Sequence, residues 1–175
     1  ENTRVIEKAS WRQELSVGVG KRGDMTLRKL RLAARKIILA AKEHKLERIA
    51  VFLGDFVFPG LFPASTIEAE NHTEKMRSHK NGVEGGEQKG QGGEEKLLEL
   101  LVENFELADY EFNMHKTPPH GGFQHVAEIV VIGDDSAAAK KALRRAQIVA
   151  REVNACRDLA NTPGGDMTPK HLAEK

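Results

Sequence analysis

Hydrophobic positions along the chain follow two periods in alternation, and this alternation predicts an α/β fold. Residues 15–20 and 48–54 are short apolar runs that end in glycine, which is typical of strands, and residues 4–6 are a weaker strand candidate. Between the two runs, Thr26 can cap a helix that extends to about His44. One face of that helix carries the apolar residues Leu27, Leu30, Ala34, Ile37, Ile38 and Ala41. Strand, helix and strand in this order predict a sheet with at least one parallel pair.

The second half of the chain repeats the alternation. A helix is predicted over residues 94–108, a buried strand over residues 125–132 and a long helix over residues 136–159. The apolar stripe of the long helix consists mainly of small residues: Ala139, Ala142, Ala146, Val149, Val153, Cys156 and Ala160. Thr168, followed by proline, then begins another helix. The sequence stops inside that helix, so we expect the chain to be a piece of a longer protein.

The segment from residue 71 to residue 93 differs in kind from its surroundings. Six of the 16 glycines fall in it, and it has no aromatic residue and almost no branched aliphatic residue. Such a segment cannot bury enough apolar surface to offset the entropy lost on ordering. We therefore predict a flexible surface insertion within one domain, and not a boundary between two domains.

Composition narrows the classes of protein. Lys plus Arg number 27 and Asp plus Glu number 26, and this balance removes the simplest argument for a nucleic-acid-binding protein. The single cysteine, Cys156, excludes an internal disulfide and fits a reducing compartment. Its position on the apolar stripe of the long helix predicts that it is buried. No apolar run approaches the ~18–20 residues of a membrane span, so we expect no membrane partner.

Glycines and cations near the first helix invite two functional interpretations that their context does not support. Gly18, Gly20 and Gly23 form a G-x-G-x-x-G pattern, but no acidic residue ends a second strand about 20 residues later. An ordinary turn between strand and helix is the better interpretation. Seven cations could contact phosphates, namely Lys21, Arg22, Arg28, Lys29, Arg31, Arg35 and Lys36. No aromatic residue interleaves them, so we interpret them as a solvated helix face and expect no nucleic-acid partner.

Histidines also identify no active site by spacing alone. His72 and His79 lie in the glycine-rich segment, where preorganised metal ligands are not expected. His115, His120 and His125 are five positions apart across a proline-rich loop, a spacing that suits neither a helix face nor a strand face. We predict no metal site from either set.

The end of the long helix carries a more specific signal. Residues 154–163 are Asn-Ala-Cys-Arg-Asp-Leu-Ala-Asn-Thr-Pro, and residues 167–174 are Met-Thr-Pro-Lys-His-Leu-Ala-Glu. This segment closely resembles the junction of the leucyl aminopeptidase family, the dinuclear-metal cytosol aminopeptidases. There, a long helix and an Asn-Thr-Pro turn lead into the catalytic domain. Two further elements resemble the family in the right order: Val-Gly-Val-Gly-Lys at residues 17–21, and Tyr-x-Phe at residues 110–112.

The resemblance implies a fold, and it implies different roles for two domains. In the family, the N-terminal α/β domain is similar to macro domains, and a separate C-terminal domain binds two divalent ions, zinc or manganese, through a lysine and several carboxylates. The family's Asn-Thr-Asp-Ala-Glu-Gly-Arg motif is absent from this sequence. The resemblance therefore implies no catalytic or metal-binding residue in this chain. It implies a structural role at the domain junction for Arg157, Asp158, Asn161 and Pro163, which would end the long helix and orient the next domain.

The full prediction has three parts. Residues 1–135 would form an α/β domain with a mixed sheet flanked by helices, similar to macro domains. Residues 136–160 would form a linker helix, and residues 161–175 would begin a catalytic domain. The resemblance implies that the chain is the inactive, non-catalytic part of an aminopeptidase that removes N-terminal residues from peptides in the cytoplasm. This parent protein would form the homo-hexamer typical of the family. The alternative is a stand-alone macro-like module that binds a nucleotide-like ligand or another protein.

Overall fold

Secondary structure in the computed structural model follows the predicted order of elements. The structure describes residues 3–9, 12–58, 61–62 and 92–174. Its strands are β1 (Thr3–Ala9), β2 (Arg12–Val17), β3 (Arg48–Phe52) and β4 (Glu128–Ile132). Its helices are α1 (Leu27–Glu43), α2 (Gly92–Asp109), α3 (Ala137–Asn161) and α4 (Pro169–Glu174). The predicted insertion lies outside the described residues, except for its last two glycines, which begin α2.

Helix α1 begins and ends where its sequence predicts. The Thr26 hydroxyl accepts a hydrogen bond from the backbone N–H of Lys29 at 3.3 Å, which caps the first turn. At the other end, Lys45 adopts a left-handed conformation with φ of 56°. The backbone N–H of Leu46 then donates to the carbonyl of Ala41 at 2.8 Å. This arrangement is a Schellman motif, which stops the helix and turns the chain toward β3.

The parallel pair predicted from the strand order is present, but it joins different strands. β3 and β4 pair in parallel, with Arg48 opposite Glu128 and Phe52 opposite Ile132. β2 instead pairs antiparallel with β1. Only two residues separate β1 from β2 in sequence, and such a short connection favours a hairpin. The described strands therefore form two separate two-stranded sheets, where the sequence predicted one mixed sheet.

The core lies where α2 packs against both α1 and α3. Its most deeply buried large side chains are Leu30, Ile38, Leu97, Leu101 and Phe105. The side chains of β3 and β4 that pack against this core are Ile49, Val51, Ile129 and Val131. The result is a mixed α/β arrangement in which a small parallel sheet is flanked by helices.

Two predictions of burial are wrong for the described residues. β3 and β4 were predicted to be buried strands, but alternate residues on one face of their sheet are exposed, including Phe52, Val130 and Ile132. The described helices cover only the opposite face. Cys156 is exposed, not buried. The buried stripe of α3 runs from Ala139 to Ala150, whereas Val149 and Val153 of the predicted stripe are exposed like Cys156, because they lie on a different side of the helix.

Candidate functional site

Three of the four predicted junction residues, Arg157, Asp158 and Asn161, come together around Tyr110, which directly follows α2. The Tyr110 hydroxyl donates a hydrogen bond to Asp158 Oδ1 at 2.8 Å and accepts one from Asn161 Nδ2 at 3.2 Å. Burial raises the pKa of the phenol above its ordinary value, with the Asp158 carboxylate acting in the same direction. The phenol therefore stays protonated at neutral pH and can donate to Asp158. It ties the last turns of α3 to the end of α2.

Arg157 satisfies backbone groups that the end of α2 would otherwise leave unpaired. Its Nη1 donates to the carbonyl of Leu107 at 2.9 Å and to Asn154 Oδ1 at 3.2 Å. Asn154 Nδ2 in turn donates to the carbonyl of Glu106 at 3.3 Å. The last four carbonyls of a helix have no partner within that helix, and a cation there also suits the negative end of the helix dipole. Two side chains of α3 thus cap the C-terminus of α2. The Arg157 guanidinium also lies over the Tyr110 ring, 5.3 Å from its centroid.

Thr162 and Pro163 form the turn that ends α3. The Thr162 backbone N–H and hydroxyl both donate to the carbonyl of Asp158, at 3.0 and 2.6 Å. The carbonyl of Pro163 accepts from the backbone N–H groups of Asp166 and Met167, each at 2.9 Å. Proline has no N–H with which to extend α3. Thr168 then caps α4, as its sequence predicted, by accepting from a backbone N–H at 3.2 Å. Whether this turn orients a further domain stays a prediction.

A second polar cluster, which the sequence did not predict, lies at the same end of α2. Lys42 Nζ donates to the backbone carbonyl of Asp109 at 3.2 Å and also pairs with Glu111. The Asp109 carboxylate accepts from the backbone N–H of Val126 at 3.1 Å and lies 3.1 Å from His125 Nδ1. The Lys42 hydrogen bond holds the pKa of Glu111 below its ordinary value. Lys42 directly follows the last alanine of the apolar stripe of α1, and that position could have signalled its burial.

A largely apolar cavity of about 260 Å³ lies beside the junction. Phe112 after α2, Leu159 in α3 and Met167 before α4 contribute to its lining. Nearby, His115 Nε2 lies 3.5 Å from Asp166 Oδ2. The cavity thus separates the loop after α2 from the turn that leads into α4.

Metal ligands are not assembled in the part of the chain that the structure describes. No group of three or more His, Cys, Asp or Glu side chains there could hold a metal ion. His115 lies near Asp166 and His125 lies near Asp109, so the three loop histidines are not a common ligand set. His72 and His79 lie outside the described residues. The described residues therefore do not fit a dinuclear metal centre, and we assign them no metal chemistry.

A smaller cavity of about 190 Å³ lies at the carboxyl end of β4, beside the start of α3. This place could hold a phosphate, because the first N–H groups of a helix bind anions. Here a side chain already uses one of them, and a carboxylate lies beside it. The Ser136 hydroxyl accepts from the N–H of Ala139 at 3.0 Å, and Asp134 Oδ1 accepts from the N–H of Ser136 at 3.0 Å. Hydrogen bonds from Ser136 hold the pKa of Asp134 below its ordinary value, so a negative charge occupies this position.

The other sequence candidates are placed apart from the junction. Gly20 has a positive φ of 86°, which suits a turn, and β2 before it belongs to the antiparallel hairpin. Dinucleotide-binding motifs need a parallel β-α-β unit at this point, so the ordinary turn is the better interpretation. Within the residues that the structure describes, no helix combines the length and the apolar character needed to cross a membrane.

Known proteins match this chain, but each match covers only a small part of the known protein. No family model matches the chain. A probable cytosol aminopeptidase of Geobacter sulfurreducens is 36% identical over 78 residues, which cover 43% of this chain and 16% of that protein. A probable cytosol aminopeptidase of Roseiflexus castenholzii is 29% identical over 168 residues, which cover 94% of this chain and 28% of that protein. These matches relate the chain to the cytosol aminopeptidases.

One solved structure has a fold similar to that of this chain. The bottromycin maturation enzyme BotP, in complex with Mn, matches with a TM-score of 0.61 at 18% identity, over 98% of this chain and 29% of that chain. At this identity the match shows a shared fold only. The chain spans 16% to 28% of the length of the curated relatives described above. The relationship predicted from the junction segment is thus supported, and the assignment of its domains stays a prediction.

Proposed function

We propose that this chain is the N-terminal, non-catalytic domain of a leucyl aminopeptidase, together with the helix that links it to the catalytic domain. The parent protein would remove N-terminal residues from peptides with two divalent ions, zinc or manganese, held in a catalytic domain that follows this chain. The fold would be that of a macro-like domain, and the parent would be a cytoplasmic homo-hexamer. In this proposal the chain supplies structure and orientation, and no reacting group.

The capping of α2 by α3 is the observation that carries the proposal. Arg157 and Asp158 are adjacent in α3 and Asn161 lies about one turn later, and each is engaged with the end of α2 or with Tyr110. A side chain that fixes a helix end to another helix sets the direction in which the chain leaves the domain. The chain leaves through the turn at Pro163 and enters α4. These contacts suit a rigid joint between two domains better than a reactive site.

The test begins with the coding sequence beyond Lys175. We expect a downstream lysine and carboxylate set that includes Asn-Thr-Asp-Ala-Glu-Gly-Arg. The complete protein should hydrolyse leucyl-p-nitroanilide, lose this activity with a chelator and regain it with Mn²⁺ or Zn²⁺. The 175-residue chain should bind neither ion and show no hydrolysis. A stop codon soon after Lys175, or hydrolysis by this chain alone, would contradict the proposal.

Substitutions at the junction test the structural role separately. Arg157→Ala and Asp158→Ala in the complete protein should lower the stability of the junction without changing the number of bound metal ions. Inductively coupled plasma mass spectrometry gives the metal content, and hydrogen exchange of the last turns of α3 reports the junction. Loss of metal from a variant whose exchange pattern is unchanged would show that these residues serve the metal centre.

One observation favours the alternative of a stand-alone macro-like module. The cavity at the carboxyl end of β4 lies where open parallel sheets commonly bind ligands. The Asp134 carboxylate beside this cavity would repel an anionic ligand, which counts against the alternative. Calorimetry of this chain with ADP-ribose distinguishes the two functions, since the aminopeptidase proposal predicts no heat of binding and the alternative predicts a saturable one.

A further inference from the structure

Helix α1 has a second, exposed face with an unusual composition. Its buried face packs into the core through Leu30, Ala34 and Ile38. On the opposite side, Leu32 and Leu39 keep 47% and 58% of their surface exposed. They are surrounded on the exposed side of the helix by the cations Arg28, Lys29, Arg31, Arg35 and Lys36. We call the set of Arg28, Arg31, Leu32, Arg35 and Leu39 the basic leucine face.

The cations of this face are costly for the free protein. Arg28 and Lys29 lie in the first turn of α1, which has no acidic residue. Cations there oppose the positive end of the helix dipole. Arg31 and Arg35 are four positions apart, so that like charges are neighbours on the helix surface. Among the described residues, no carboxylate forms an ion pair with Arg28, Arg31 or Arg35. An acidic partner would relieve this repulsion, which the described carboxylates do not relieve.

The spacing of the face matches a helix–helix contact. Arg28, Leu32, Arg35 and Leu39 follow one another at steps of four, three and four residues. This is the spacing of the contact seam in a coiled coil, with leucine at one seam position and arginine at the other. The outer surface of a nucleic acid duplex consists mainly of charged phosphates, which do not favour contact with two exposed leucines. A lipid surface takes up a broader apolar face than two side chains in one row.

We propose that the basic leucine face of α1 binds an acidic amphipathic helix of a protein partner. Leu32 and Leu39 pack between apolar side chains of the partner helix, and Arg28, Arg31 and Arg35 pair with its glutamates or aspartates. This inference is independent of the proposed aminopeptidase function, because it uses none of the junction residues.

A synthetic peptide serves as the probe. It has about three heptads, with leucine at one seam position and glutamate at the other and at the flanking positions, and it carries a fluorescein label. The control peptide has the same composition with its leucines dispersed. Fluorescence anisotropy during titration with the 175-residue chain should show saturable binding of the patterned peptide. The dispersed peptide should bind about tenfold more weakly or worse, since it offers the charge without the apolar row.

Variants separate the apolar and charged parts of the face. Leu32→Gln with Leu39→Gln, and Arg28→Gln with Arg35→Gln, should each weaken binding by about tenfold or more, and the arginine pair should also flatten the salt dependence. Matched changes on other helices are the controls: Leu172→Gln, another exposed leucine, and Lys141→Gln with Arg144→Gln, two exposed cations. The controls should stay within about twofold of the parent affinity. The arginine variant should melt at the same temperature as the parent or higher, which excludes unfolding as the cause.

Each other outcome overturns the proposal. Equal binding of the two peptides, or no binding, would exclude an amphipathic helix as the partner. Binding unaffected by the leucine variant would reduce the face to a charged patch. Leucine-dependent binding to phosphatidylserine vesicles that is tighter than binding to the patterned peptide would assign the face to a membrane surface. Tighter binding to duplex DNA that ignores the leucine variant would assign it to nucleic acid.

Discussion

Removing a single oxygen atom tests the joint between α2 and α3. Tyr110→Phe deletes the hydroxyl that donates to Asp158 and accepts from Asn161. The substitution keeps the aromatic ring, and therefore the stacking of Arg157 over that ring. We expect the folded state to lose stability and the last turns of α3 to open more often.

The size of the effect follows from the two bonds. A hydrogen bond to a charged group contributes about 1.5–3 kcal/mol and a neutral one about 0.5–1.5 kcal/mol. Both bonds of Tyr110 are on the exposed side of the joint, where water can replace the lost partner. We therefore expect a loss at or below the sum of the two lower values, about 1–2 kcal/mol in the free energy of unfolding. For a chain of this length, that loss corresponds to a melting temperature lower by about 2–8 °C.

Urea denaturation followed by circular dichroism measures the free energy, and hydrogen exchange measures the local opening. Thr117→Val is the control, because it removes an exposed hydroxyl from the loop before β4 and should cost less than about 0.5 kcal/mol. A double-mutant cycle of Tyr110→Phe with Asp158→Ala should give a coupling energy of about 0.5 kcal/mol or more. If the two changes add without coupling, and exchange in α3 is unaltered, the hydroxyl does not join the helices.

Three further predictions test other parts of the structure. Gly133→Ala should cost about 1–3 kcal/mol, because its new Cβ would lie 2.9 Å from a leucine Cβ, whereas Gly164→Ala meets no atom within 4 Å; urea denaturation of both variants checks this. Cys156 should react with Ellman's reagent in the native protein, and a reaction that needs denaturant would contradict its exposure. Glu111→Gln should lower the free energy of unfolding at pH 7, where the Glu111 carboxylate is ionised and pairs with Lys42. Because folding lowers the pKa of Glu111, the loss should become smaller as the pH falls below about 4.5. A loss that is the same at pH 3 and pH 7 would disprove the ion pair.

Local signals predicted most of the elements, and long-range pairing caused the errors. Thr26 and Thr168 cap the helices that they were predicted to cap, because a cap depends on residues within one turn. The predicted β-α-β unit joined β2 to the strand after it, but β2 pairs with β1, the strand before it. The hydrophobic pattern does not distinguish between these two partners. Burial of β3 and β4 was overestimated because an apolar run does not reveal how many faces other elements cover.

The main residues of the candidate site could be predicted, but their contact partners could not. Arg157, Asp158 and Asn161 came from the resemblance, and the chain itself gave no reason to prefer these polar residues over others near them. Their partners could not be read from sequence, since Arg157 bonds a backbone carbonyl 50 positions away. Cys156 was misplaced because the side of α3 that faces α2 continues from Ala150 to Asn154 and Arg157, whereas the predicted stripe turned to another side of the helix.

The pairing of β3 with β4 has a consequence for how fast the protein reaches its folded state. Arg48 and its partner Glu128 are 80 positions apart, whereas the β1–β2 hairpin and each helix form from neighbours. Closing so long a loop is entropically slow, and contacts of high sequence separation reduce folding rates. The equilibrium penalty grows only with the logarithm of loop length, about 0.6 kcal/mol for each doubling. Shortening the connection between β3 and α2 should therefore accelerate refolding far more than it raises the free energy of unfolding.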